Sequence, residues 1–168
     1  MKINSSLTRL VDSSLTRLVV VVTFAALALS GCEKFALDRQ MEELCKKDGG
    51  VKVYETVTLP PDMFDQWGDP FPGWRGRPLE ERLGSAYRYV VETVYLKQGD
   101  PLKGEGQLRR TSERIYRRSD GKLIGEAISY GRSGGDFIVY AHPTSNHCPI
   151  YQSDSEGLIK SVFRKKGE

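Results

Sequence analysis

An apolar run near the start of the chain, Leu18–Leu29, constrains what this 168-residue sequence can fold into more than any other feature. The basic residues Lys2, Arg9 and Arg17 flank or precede it. At about a dozen residues, the run suits the apolar part of a secretory signal peptide and falls short of the roughly 20 residues that a membrane-spanning helix needs. We therefore predict an export signal; the alternatives are a buried core helix and a short membrane anchor.

The run ends in Leu29, Ser30, Gly31 and Cys32. These residues match, position by position, the lipobox of the bacterial lipoprotein class, and the start of the chain resembles that class. The resemblance implies that residues 1–31 are removed and that Cys32 carries a covalent lipid. Apart from this lipid we expect no cofactor. Because Glu33 rather than aspartate follows, the resemblance also implies anchoring to the outer membrane, with the domain facing the periplasm.

The other residues, 32–168, number 137, enough for one domain with a modest core. Residues 1–31 contain three basic residues and one acidic residue, so their removal lowers the formal net charge from +3 to +1. A nearly neutral domain gives no electrostatic reason to expect a nucleic acid partner. We expect the membrane, through the lipid, and a protein of the cell envelope as partners.

With Cys32 assigned to the lipid, Cys45 and Cys148 allow a single pairing. Disulfides persist outside the cytoplasm, so we predict a structural bridge between these two residues. His142, His147 and Cys148 raise the alternative of a metal site. Adjacent His and Cys lack the two-to-four-residue spacing of zinc motifs, and we predict no metal site.

The remaining pattern indicates one helix followed by strands. Apolar residues recur at three- and four-residue steps through Glu33–Lys47, which predicts an amphipathic helix. Alternating, β-branched and aromatic segments predict strands, two of them joined by an Asp-Gly hairpin turn. The predicted strands are Val51–Leu59, Ser85–Lys97, 106–118, 123–130, Asp136–Ala141 and Leu158–Lys165. We expect an α+β fold in which the N-terminal helix packs on an antiparallel sheet of five or six strands.

The segment GRSGG, Gly131–Gly135, matches the G-x-S-x-G pattern of a nucleophile elbow and is similar to the Gly-x-Ser-Gly-Gly of chymotrypsin-like proteases. An elbow needs a helix after its serine, whereas strand-like residues follow Ser133. Both histidines also come after Ser133, the reverse of the chymotrypsin order. We predict a turn here, no catalytic residues and no enzymatic activity.

The long segment Asp62–Gly84 contains Trp67, Phe71 and Trp74. These aromatic residues either cover the core or form an exposed patch for a protein partner or for sugar rings. Its aspartates lack the spacing of a calcium-binding loop.

Basic residues concentrate on the first strand of the predicted hairpin. The arginines there are Arg109, Arg110, Arg114, Arg117 and Arg118. They form either a solvated face or a contact for an anionic group, because arginine suits bidentate binding of phosphate. Together with the aromatic segment they make up the candidate binding surface.

The segment Gly84–Asp100 is similar, through Ser85, Ala86 and Tyr89, to the short S-G-A-R-Y-like stretch with which C-type lysozyme inhibitors enter the lysozyme cleft. The arginine-rich hairpin and the N-terminal helix depart from that family. The resemblance implies a periplasmic inhibitor module; the aromatic residues of Asp62–Gly84 would instead suit a glycan-binding module. Such a periplasmic binding or inhibitor module is the alternative to our leading prediction, an accessory or interaction protein of the cell envelope.

Overall fold

The structure, a computed structural model, describes residues 16–22, 32–136, 142–149 and 155–167. Most of the predicted signal segment and most of the predicted strand Asp136–Ala141 lie outside these ranges. The helices are α1 (residues 16–22), α2 (Cys32–Asp48) and α3 (Ser155–Val162). The strands are β1 (Gly50–Val53), β2 (Val57–Leu59), β3 (Tyr87–Lys97), β4 (Gln107–Arg117), β5 (Leu123–Ser133), β6 (Ser145–Cys148) and β7 (Phe163–Lys165).

Five strands form one antiparallel sheet in the order β1-β5-β4-β3, with β6 also paired to β5. The hairpin of β4 and β5 is its centre, and β1 and β6 lie end to end along the outer edge of β5. A second sheet contains only β2 and β7, which run parallel. The predicted α+β class is therefore confirmed, with a helix at each end of the described globular part.

Helix α2 packs on one face of the large sheet, as predicted. Its Leu37 and Met41 join Leu108, Ile128 and Tyr130 in a buried apolar cluster. A four-residue step places Leu37 and Met41 on the same side of the helix, and this stripe is the one buried.

The predicted disulfide between Cys45 and Cys148 is present, with Cα atoms 6.1 Å apart. It links the last turns of α2 to the end of β6 across 103 positions of sequence. The bond therefore joins the helix to the edge of the sheet farthest from β3.

Helix α3 packs on the opposite face, and here the prediction was wrong. Leu158–Lys165 was expected to be a strand, but the chain is helical to Val162 and only Phe163–Lys165 is extended. Leu158, Ile159 and Val162 recur at helical steps and are buried against Gly125 and its neighbours on β5. An apolar run this short fits either period, and the sheet face that it covers decides between them.

The predicted strand Val51–Leu59 is also split in two. Val53 pairs with Gly125, close to the start of β5 at Leu123, so there is little sheet left for the chain to pair with. The backbone leaves the sheet there, and Val57 pairs instead with Phe163 of β7. The pairing of β1 ends because β5 begins at this point of the sheet. No breaker residue within β1 is needed to explain it.

Candidate functional site

Trp67 lies at the tip of a tightly bonded loop and is the most exposed aromatic ring that the sequence singled out. Its side chain is 76% exposed. Asp65 Oδ1 accepts hydrogen bonds from the backbone N–H groups of Trp67 (2.9 Å) and Asp69 (2.8 Å). Phe64 and Pro70 form a β-bridge that closes the loop. The ring is therefore held outward by a compact loop, which is typical of an aromatic contact residue.

Phe71 and Trp74 do not share that surface. Both are buried. The Phe71 ring packs edge to face on the rings of Tyr87 and Phe163, with distances between ring centres of 6.2 Å and 4.9 Å. Of the two readings of this segment, covering of the core applies to Phe71 and Trp74, and exposure applies to Trp67 alone.

A cluster of four charges lies beneath the Trp67 loop. The buried Asp69 carboxylate contacts the Lys160 ammonium at 2.7 Å and the Arg75 guanidinium at 2.6 Å, and both cations also reach Glu156. The hydrogen bond from Lys160 and that from Arg75 outweigh burial and lower the pKa of Asp69. These contacts connect the loop to α3 and use Asp69 for structure rather than for a ligand.

The arginines of β4 are largely neutralised by carboxylates. Arg110 contacts Asp48 at 3.3 Å, and Arg114 contacts both Glu126 (2.8 Å) and Glu92 (3.0 Å). These contacts satisfy the charges within the protein. They do not favour the predicted anionic partner on this face.

Two of the other three arginines, Arg117 and Arg118, are also bonded within the protein. Arg117 is paired with Glu55 and Asp120, and Arg118 donates to the backbone oxygens of Tyr87 (3.0 Å) and Glu80 (2.9 Å). Arg109 is exposed, and its side chain makes no hydrogen bond or ion pair with another described residue. The five arginines therefore do not form one open basic surface.

A cleft of about 420 Å³ lies where the aromatic segment meets the start of β3. Its lining is Glu80, Glu81, Gly84, Ser85 and Arg118. It includes Ser85 of the inhibitor-like stretch, and Ala86 beside it is exposed.

Tyr89, the third residue of that stretch, is buried, and its hydroxyl bonds to Glu113. The Arg82 guanidinium lies 5.5 Å from the centre of its ring. Of the three residues that carry the inhibitor resemblance, only Ser85 and Ala86 are therefore open to a partner.

The GRSGG segment holds a structural arginine rather than a nucleophile. Gly131–Ser133 are the last residues of β5, so the predicted turn is confined to Gly134 and Gly135, which have φ angles of +73° and +77°. Arg132 is 2% exposed and bonds to Asp38, to the carbonyl oxygens of Gly134 and Thr144, and to the Thr144 hydroxyl. No local pattern in the sequence marks Arg132, because its partners Asp38 and Thr144 are distant from it along the chain.

His142 and His147 are both exposed. Among the described residues, no group of three or more His, Cys, Asp or Glu side chains is arranged to hold a metal ion.

The outer edge of β3 is a further surface that the sequence analysis did not identify. Only the first half of this strand is covered by other parts of the protein. Four neighbouring apolar side chains, on both faces, are between 38% and 46% exposed: Val91, Val94, Tyr95 and Leu96. No strand in the described ranges pairs with this edge. Which strand lies at an edge depends on strand order, for which the sequence carries no local signal.

The backbone groups that point off this edge can be assigned. The N–H of Arg118 donates to the carbonyl of Ala86 at 2.9 Å, so Ala86 faces the β4 side. Because the backbone groups of an antiparallel strand alternate in direction, those of Val91, Thr93 and Tyr95 point outward. The edge therefore offers three N–H and three C=O groups beside exposed apolar side chains.

Cys32 is the first residue of α2. The residue after it, Glu33, contacts the Lys97 ammonium and the backbone N–H of Gly106, and Lys34 contacts Asp136 at 3.2 Å. The start of the helix is thus fixed to the ends of β3 and β5 and to the loop before β4. No helix in the described part of the chain is long and apolar enough to span a membrane.

Comparison of the chain with models of protein families, with curated proteins and with solved structures finds no match in any of the three.

Proposed function

We propose that this protein is a lipoprotein of the cell envelope, anchored to the outer membrane through Cys32, that acts as an accessory protein by binding another protein along β3. The anchor is supported by the lipobox Leu29–Cys32 and by the position of Cys32 as the first residue of α2. The observation that carries the binding role is the outer edge of β3, with which no strand of the described residues pairs.

An edge strand of this kind is a template for an additional strand. The backbone groups of Val91, Thr93 and Tyr95 supply hydrogen bonds to an extended partner segment, and alternating side chains supply contacts on both faces. Natural proteins usually protect long edge strands with lysine, proline or a covering element. Here exposed Val94 and Leu96 stand in their place. An extended, apolar protein segment is therefore the partner that fits this edge.

The test is a proline at Thr93. Proline removes an N–H that points outward and leaves the bonds to β4 in place, so Thr93→Pro should fold and lose its partner. Thr93→Val keeps the N–H and should bind as the native chain does. A photo-crosslinking residue at Val91 should capture a protein in intact envelopes, and Thr93→Pro should abolish that product. The same residue at exposed Leu79 is the control for non-specific capture.

Three results would contradict the proposal. Equal crosslinking from Val91 and Leu79 would remove β3 as the binding edge, and so would a product that survives Thr93→Pro. A mature chain whose N-terminal peptide carries no acyl groups on Cys32 would remove the anchor.

A second candidate is an inhibitor of C-type lysozyme, favoured by the cleft at Ser85. In that role Ser85 and Ala86 would approach the enzyme, with Arg118 beside them. The native chain would then inhibit lysis of cell walls by C-type lysozyme at near-equal molar ratio, and Ser85→Trp, which fills the cleft, would not. Full lysis in the presence of excess native chain would rule this function out.

A further inference from the structure

At one end of the molecule, the start of α2 lies beside the end of β3, the start of β4 and the end of β5. We call this set of residues, 33–35, 97–106 and 134–136, the anchor end. Gly135 touches the backbone there so closely that an added Cβ would lie 3.1 Å from the Lys34 nitrogen. An added Cβ at Gly106 would overlap the Leu37 side chain. The helix start and the strand ends therefore form one packed surface.

Two large apolar side chains stand out from the anchor end without entering the core. Phe35 is 72% exposed and Leu102 is 75% exposed, close to the exposure of Trp67 and well above the exposed side chains of β3. Phe35 follows Cys32 by three positions, which is less than one turn of the helix. Along the helix axis they are separated by about 4.5 Å.

Leu102 is presented by a rigid turn rather than by a loose loop. Asp100 Oδ1 accepts a hydrogen bond from the Leu102 N–H at 3.1 Å, and the Asp100 carbonyl accepts from Lys103 and Glu105. The Glu105 carboxylate in turn accepts from the Asp100 N–H at 2.8 Å. The polar groups of the turn are therefore hydrogen-bonded to one another. The Leu102 side chain and the exposed Lys103 point outward.

We infer that the anchor end lies directly on the bilayer, with Phe35 and Leu102 inserted at the boundary between headgroups and acyl chains. This inference rests on the proposed anchor at Cys32. Because the helix begins at Cys32, no linker separates the lipid from the folded domain, and the first helical turn is held at the membrane surface. Apolar side chains in that position gain by leaving water, and a flanking lysine suits the headgroup level.

The same geometry sets how far the cleft at Ser85 and the outer edge of β3 lie from the bilayer. Each of the three long strands, β3, β4 and β5, has 11 residues and rises about 3.3 Å per residue, so the far ends lie up to about 35 Å from the anchor end. The cleft at Ser85 lies at that far end, next to the start of β3. Thr93 lies closer to the bilayer, within reach of a partner anchored in the same membrane.

The test places a reporter tryptophan at the anchor end of the full, acylated chain. Leu102→Trp and Phe35→Trp are reconstituted in vesicles of phosphatidylethanolamine and phosphatidylglycerol, with or without lipids brominated near the headgroup end of the acyl chain. Both substitutions replace exposed apolar side chains, so the fold is retained. Leu79→Trp is the matched control, an exposed leucine at the far end, and Trp67 and Trp74 give the same background in every variant.

We expect brominated lipid to reduce the emission of the added tryptophan at least about twofold at positions 102 and 35, and to leave that at position 79 unchanged. Mass spectrometry of the N-terminal peptide separates the two proposals. An acylated chain whose tryptophans at 102 and 35 are not quenched overturns the bilayer contact alone. A chain without acyl groups on Cys32 overturns the anchor and the contact that rests on it.

Discussion

Arg132 grips the carboxylate of Asp38 with two hydrogen bonds, Nε to Oδ1 at 2.8 Å and Nη2 to Oδ2 at 3.2 Å. The pair joins β5 to α2 across 94 positions of sequence. Asn146 of β6 donates to the same carboxylate at 3.2 Å. A helix, the central strand and an edge strand therefore meet at one buried guanidinium, in a segment whose sequence resembles a protease motif.

Removing one partner of this pair should destabilise the fold strongly. Arg132→Leu leaves the Asp38 carboxylate without its cation, and we expect a loss of about 3–5 kcal/mol in the free energy of unfolding. Urea unfolding followed by circular dichroism measures it. Arg39→Ala, which breaks an exposed pair with Glu43 on the same helix, should cost only about 0.5 kcal/mol. Equal losses in the two variants would contradict a structural role for Arg132.

The disulfide should contribute chiefly by restricting the unfolded chain. A bridge that closes a loop of this length is worth about 4–5 kcal/mol in the chain-entropy model. Cys45→Ser should therefore lower the urea midpoint, and Cys45→Ser combined with Cys148→Ser should lower it by nearly the same amount. A double variant much less stable than the single one would show that the two side chains act separately.

Acid should weaken the attachment of the Trp67 loop to α3. The cations Lys160 and Arg75 hold the pKa of Asp69 below its ordinary value of 3.8. A folded-state pKa that is lowered adds stability above pH 3.8, and this stability is lost as the pH falls through the lowered value.

The variant Asp69→Asn should therefore be less stable than the native chain at pH 7, by about 1–3 kcal/mol. The difference should shrink below pH 3.8, as thermal unfolding in a pH series would record. Asp62→Asn, an exposed aspartate of the same segment, should change stability by less than about 0.5 kcal/mol. A difference that stays constant from pH 7 to pH 2 would exclude titration of Asp69 as the cause.

The packing of α3 on the sheet can be tested at Gly125. An added Cβ there would overlap Val162 and lie 3.1 Å from Leu158 Cδ1. Gly125→Ala should therefore cost about 1–3 kcal/mol through overpacking. Gly76→Ala is the control, because nothing lies within 4 Å of its added Cβ. A neutral Gly125→Ala would mean that α3 does not contact β5 as described.

The two tryptophans should respond oppositely to truncation. Trp74 is buried, and Trp74→Ala should cost about 3–5 kcal/mol. Trp67→Ala should leave the free energy of unfolding within about 0.5 kcal/mol of the native value. Denaturant unfolding of both variants distinguishes the core residue from the displayed one, and a large loss for Trp67→Ala would remove that residue as a free contact.

Local signals account for what the sequence predicted correctly. The apolar stripe of α2 and the Asp-Gly turn between β4 and β5 are encoded within a few residues, so both elements were expected where they occur. The pairing of Cys45 with Cys148 followed once Cys32 was set aside for the lipid. These features depend on residue spacing and counting, which the sequence states directly.

The tertiary structure decided the features that depend on which other residues pack against a segment. Leu158–Phe163 is apolar enough for a strand or a helix, and the face of the sheet at Gly125 selects the helix. Trp67 and Trp74 belong to one segment, yet only the packing around Phe163 determines which is buried. Burial, edge position and charge pairing are relations between distant residues, and the order in which strands meet fixes them. Residue spacing in the sequence was enough to predict α2, the hairpin of β4 and β5 and the pairing of the two cysteines, because each depends on local pattern or counting. The fold decided which surfaces remain open, because exposure depends on contacts between residues that are distant in sequence.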